Sequence, residues 1–97
     1  MERLERIEQL KKGTKFHVMN RDIITSYEFL CIHPHNESYI LAIESMSQDA
    51  KKMHIKSLME YAEVYIGDYD VSFFREKEIE YYERMIIDLK QRPNLNK

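Results

Sequence analysis

Ninety-seven residues, 43% of them hydrophobic and 33% charged, describe one domain that is too apolar for disorder and near the lower size limit for a single core. A formal net charge of −2 supplies no electrostatic reason to expect bulk nucleic acid or an anionic membrane as a partner. The single Cys31 excludes an intramolecular disulfide.

The opening residues Met1 to Arg6 are charged and lead into no apolar run, so no signal peptide is expected and the chain reads as cytoplasmic. Wholly apolar stretches such as Phe29-Leu30-Cys31-Ile32 are far short of a membrane span. Leu4, Ile7 and Leu10 repeat at helical spacing, with Glu2 and Glu5 early and Lys11 and Lys12 late, as a helix dipole favours. This pattern predicts a short helix over 2–11, stopped by Gly13. At under three turns it must dock on something to persist.

From Lys15 to Ile66 the signal becomes β. Phe16 and Val18 alternate with Lys15 and His17, and Asn20-Arg21-Asp22 reads as a turn. Ile23 to His33 is a long strand, broken by Pro34-His35-Asn36-Glu37, and Ser38 to Ser45 returns as another. If His33 pairs with Ser38, one face of this hairpin collects Leu30, Ile32, Tyr39, Leu41 and Ile43. The other collects Tyr27, Phe29, Cys31, Ile40 and Ala42. A free-standing antiparallel sheet leaves one face polar, so a second apolar face demands a helix, a barrel wall or another subunit to cover it.

Ser47 to Lys51 is a polar connection, followed by a fourth strand in which Met53 and Ile55 alternate with Lys52, His54 and Lys56. Ser57-Leu58-Met59-Glu60 fits one helical turn, and Ala62 to Ile66 a fifth strand closed by Gly67-Asp68. Asp70 or Ser72 can cap a final helix over 73–91, ended by Pro93. Ile79, Tyr82, Ile86 and Leu89 fall on it at 3-4-3 spacing, a coiled-coil-like seam, and Phe74, Tyr81 and Met85 widen the stripe. The fold class is therefore α+β: a single domain with an N-terminal helix, a five-stranded antiparallel core over 15–66 and a long C-terminal helix.

The run Leu10-Lys11-Lys12-Gly13-Thr14 into a first strand, the turn Asn20-Arg21-Asp22, the strand Ile40 to Ser45 and the segment His54 to Leu58 together resemble small SH3-like barrels, closest to the Sm-like branch in which a helix precedes the barrel. The resemblance covers residues 2–66 and implies a barrel topology with a habit of assembling into rings or dimers. No RNA-binding residue is carried over, because the positions that hold them in Sm-like proteins do not match here.

Three groupings are candidates for chemistry. His33 and His35 sit at a hairpin turn as weak metal candidates, but no recognised ligand spacing surrounds them, and no metal or other cofactor is expected. Cys31, two residues from His33 on one strand, is read as a small hydrophobe rather than half of a dyad. Tyr61, Tyr65 and Tyr69 interleave with Glu60, Glu63, Asp68 and Asp70, the composition of an exposed binding face. Two isolated glycines cannot build a phosphate-cradling loop, and no serine nucleophile elbow is present.

The function expected is non-enzymatic: a self-associating binding module, in one concrete form an inhibitor or ligand-sequestering protein. Ile79, Tyr82, Ile86 and Leu89 would carry self-association into a homo-oligomer. Tyr61, Tyr65, Tyr69 and Asp70 would contact a protein or small-molecule partner. The alternatives are an Sm-like RNA-binding protein and a small metal-dependent enzyme using His33 and His35.

Overall fold

A computed structural model describes residues 1–92. It is α+β: an open, antiparallel six-stranded sheet and a long C-terminal helix. The strands are β1 (Glu2–Arg3), β2 (Lys15–Asn20), β3 (Ile23–Ile32), β4 (Tyr39–Glu44), β5 (Ala50–His54) and β6 (Glu63–Ile66), in spatial order β1-β6-β2-β3-β4-β5. Two helices join them, α1 (Ile55–Tyr61) and α2 (Val71–Gln91).

The N-terminal helix expected over 2–11 is not there. Residues Glu2–Arg3 pair with β6, and only Ile7–Gln9 turns as a 3₁₀ helix. The apolar spacing was a true signal of burial, since Leu4 and Leu10 are buried and Ile7 packs against the same core. What it did not specify was the backbone. A segment under three turns gains little from its own hydrogen bonds, whereas β6 offers an open edge, and Leu4 N–H donates to Val64 O at 2.7 Å. The Gln9 side chain then accepts from the backbone N–H groups of Glu5 and Arg6, stitching the tight turn. Gly13 does mark the end of the segment, at φ +89°.

β2 to β5 form a meander. The β2–β3 connection has two central residues, Arg21 and Asp22, and Arg21 takes the positive φ (60°) that such hairpins favour at their first central position. In the next hairpin the expected register holds from Tyr27↔Glu44 to Phe29↔Ala42 and then slips at a β-bulge, giving Cys31↔Leu41 and Ile32↔Ile40. One inserted residue exchanges the faces beyond it. Cys31 is therefore exposed instead of sharing the core with Phe29, and Ile32 joins the side of Ile40.

β5 begins at Ala50, earlier than the polar-connection reading of 47–51, because Lys51 and Lys52 pair with Ala42 and Leu41 while their side chains reach solvent. Lysines on this edge strand also discourage pairing with another sheet. Ile55, read as strand, starts α1 instead. His54 caps that helix, its Nδ1 accepting from Ser57 N–H at 3.4 Å. α1 carries the chain across the sheet so that β6 lies beside β2 rather than beside β5.

The main core lies on one face of the sheet, under the 3₁₀ turn and α1: Phe16, Phe29, Ile40, Ala42 and Val64 from the strands, with Leu4, Leu10 and Leu58 above them. A groove of about 410 Å³ remains on this side, lined by Ile7, Leu10, Phe29, Ile32 and Ile55. The opposite face carries a second, smaller core where α2 lands on β2 and β6. No helix among the described residues is long and apolar enough to cross a membrane.

Candidate functional site

The site is α2 and the surface at its root. Asp70 is the N-cap: Phe73 N–H donates to its Oδ1 at 3.1 Å, and Phe74 N–H to its carbonyl at 3.1 Å. The helix thus starts at Val71, two residues before the expected boundary, and runs to Gln91. The expected stop at Pro93 lies outside the described residues.

Phe74, 0% exposed, is the anchor. Its ring meets His17 at 5.5 Å, Tyr65 at 5.8 Å, Tyr69 at 4.9 Å and Phe73 at 5.3 Å between centroids, mostly edge to face. Lys77 lies 5.6 Å from the rings of both Tyr65 and Phe73. About two helical turns beyond Phe74, Tyr82 donates its hydroxyl hydrogen bond to Asp22 Oδ2 at 2.8 Å, tying the helix to the β2–β3 turn.

His17 is the one buried polar residue among those described, and both ring nitrogens are used. The Gly67 carbonyl, 2.7 Å from Nε2, can only accept, so Nε2 carries the proton and Nδ1 accepts from the Ser26 hydroxyl at 2.7 Å. His17→Leu keeps the volume but strands the Gly67 carbonyl and the Ser26 hydroxyl. It is expected to cost about 2–4 kcal/mol in urea unfolding, against about 1 kcal/mol for Ser26→Ala.

Tyrosine protonation is coupled to folding in this region. Burial pushes the Tyr65 hydroxyl above its ordinary pKa, and the hydrogen bond it donates to Glu63 Oε1 at 2.9 Å acts the same way. Tyr27 is raised too, by burial and then by Glu44. For an acid whose folded pKa lies higher, the contribution to stability is complete below the unfolded value and is lost as pH rises through the folded one. Stability is therefore expected to fall above about pH 10, with a shallower slope in Tyr65→Phe, as read by denaturant midpoints across pH.

Beyond Tyr81 every described residue of α2 is exposed. Ile79, Tyr82, Met85, Ile86, Ile87 and Leu89 are each between 40% and 58% exposed, and the four seam residues Ile79, Tyr82, Ile86 and Leu89 lie on one flank of the helix. On the rest of the helix Phe74 is buried and Phe73, Lys77, Glu78 and Tyr81 are half-buried, with Phe73 edge-on to Tyr65 of β6 at 4.9 Å. Leu41 and Ile43, on the same sheet face as His17, stay half-buried.

The four residues expected to form a partner surface do not share one. Tyr65 is 3% exposed and belongs to the aromatic core under α2, while Asp70 caps the helix. Tyr69 stacks on Phe74 with half its surface in solvent. Tyr61, 75% exposed, lines a different cleft of about 380 Å³ between the α1–β6 junction, the β2–β3 turn and α2. Tyr81, Arg3, Arg21 and Arg84 also line it, with Arg3 paired to Glu63 at 3.2 Å. Arg21 and Arg84 make no ion pair among the described residues. The turn at Asn20 to Asp22 was legible, but that α2 passes over it was not.

The His33 and His35 rings lie 6.1 Å apart, and His35 N–H donates to His33 Nδ1 at 3.1 Å, so the pair closes the β3–β4 turn. Among the described residues no three His, Cys, Asp or Glu side chains converge as a metal site requires. Comparison of the chain with protein-family models, curated proteins and solved structures finds no match.

Proposed function

We propose that the protein is a non-enzymatic binding module that works as a homo-oligomer, with the free flank of α2 as its assembly surface. The observation carrying this reading is the seam Ile79, Tyr82, Ile86 and Leu89, half in solvent on a helix whose opposite end is firmly seated by Phe74. Isolated apolar side chains on a surface are ordinary, but a contiguous heptad-spaced stripe on a helix is the form that association surfaces take.

Within such an assembly Tyr61 and Tyr69 are the tyrosines available to a partner, and Tyr65 and Asp70 serve by holding α2 in place. The cleft beside Tyr61 has Arg21 and Arg84 on its walls together with Glu60 and Glu63, so it suits a partner that carries charges of both signs. Inhibition or sequestration fits these features, because both need recognition and neither needs a reacting group. The kinship with SH3-like barrels belongs to the same proposal and is supported by the meander β2 to β5, with β6 returning beside β2.

Solution mass by light scattering over a concentration series tests the reading. A concentration-dependent dimer or larger assembly is expected. A monomer at every concentration would remove self-association. The Sm-like alternative predicts retention on poly-A or poly-U resin that weakens steeply with salt.

A further inference from the structure

Resting on that reading of α2 as an assembly surface, we infer that the occupant of the seam is α2 of a second copy, packed antiparallel about a two-fold axis near Arg84. Charge complementarity selects this occupant. In the heptad set by the seam, Ile79 and Ile86 take position a, and Tyr82 and Leu89 take d. The residues flanking the seam are then Glu76, Glu83 and Lys90 at e, and Glu78, Met85 and Arg92 at g.

In a parallel pair, g of one helix faces the following e of the other. That sets Glu78 against the partner's Glu83 twice, and Met85 against the partner's Lys90, so the flanks offer two like-charge contacts and no ion pair. It also stacks Tyr82 on the partner's Tyr82 in the middle of the seam.

Turning one copy around changes every contact. Ile79 then packs on the partner's Leu89, and Tyr82 on the partner's Ile86, so each ring meets an aliphatic side chain. Position g now faces g: Glu78 meets the partner's Arg92, twice by symmetry, and Met85 meets the partner's Met85 beside the axis. Position e faces e: Glu76 meets the partner's Lys90, again twice, and only Glu83 against the partner's Glu83 is unfavourable. Four opposite-charge contacts against one repulsive contact select the antiparallel arrangement, and the helix dipoles run head to tail in it as well.

Among the described residues, Glu76, Glu78 and Lys90 have no ion pair within their own chain. Arg92 does pair with Asp88 at 3.0 Å, but both side chains are mostly exposed, so that tie is readily exchanged. Tyr82 is held by Asp22, so its ring is already oriented when the partner arrives. The sheet does not block the approach, because the seam lies about a quarter-turn around the helix from Phe74, at 100° per residue.

Charge exchange separates the orientations. The dimer dissociation constant is measured by sedimentation at low salt for wild type, Lys90→Glu and the double variant Glu76→Lys/Lys90→Glu. Circular dichroism confirms that each is folded. Antiparallel packing predicts about tenfold weaker association for Lys90→Glu, since two attractive contacts become repulsive, and recovery to near the wild-type value in the double variant. If Lys90→Glu and the double variant both associate like wild type, or if the double variant fails to recover, the antiparallel pairing is overturned while self-association stands. A wild-type chain that is monomeric throughout overturns the assembly reading itself, and this inference with it.

Discussion

Ile86→Glu is expected to turn the assembled protein into a monomer while leaving its unfolding midpoint as a monomer essentially unchanged. Ile86 sits at the centre of the seam, 52% exposed in the single chain and outside the buried core cluster. In a two-fold assembly each substitution acts twice. Losing the burial of a half-exposed isoleucine and placing a carboxylate in an apolar contact costs about 2–3 kcal/mol per copy. The dissociation constant then rises by about a thousandfold or more. Light scattering reads the mass, and urea unfolding at low concentration reads the fold. An unchanged mass would place the assembly surface elsewhere. A collapsed midpoint would mean the seam closes the chain's own core.

Phe74→Ala is expected to do the reverse, with the loss appearing in the single chain. This side chain is fully enclosed by His17, Tyr65, Tyr69 and Phe73, and removing it leaves a cavity in a core too small to refill it. The cost expected is about 3–5 kcal/mol, a large part of the roughly 5–15 kcal/mol that holds a domain of this size together. α2 would also lose its seat, and the stability of a helix in a folded protein comes mostly from such packing. Helical signal should fall and protease should cut first within α2. Phe74→Leu keeps most of the volume and should retain the fold with a loss of under about 2 kcal/mol. Together with Ile86→Glu, the pair assigns one flank of α2 to folding and the other to association.

Most strands were legible because their cues are local. Alternation marked β2 and β5, turn chemistry at Asn20 to Asp22 and at Pro34 to Glu37 marked the hairpins, and Asp70 and Ser72 were the two caps open to α2, of which Asp70 is the one used. The bulge at Phe29 to Cys31 was invisible, since nothing in that apolar run distinguishes an inserted residue from a paired one. It changed which of Cys31 and Ile32 reaches the core side. His17 looked like the polar half of an alternating strand. Its burial follows from Gly67 and Ser26, fifty and nine residues away, offering partners for both nitrogens.

The amino-acid sequence by itself determined which side chains seek burial, where the chain turns, and that α2 bears a heptad stripe, because each of these depends on spacing within a few residues. Only the tertiary structure decided that residues 2–3 add a strand to β6 instead of opening a helix, that β6 returns beside β2, and that Tyr65 is core while Tyr61 faces a cleft. Those outcomes compare a weak local preference with hydrogen bonds and packing supplied by segments 60 or more residues distant, and such distant partners exist only once the sheet has formed.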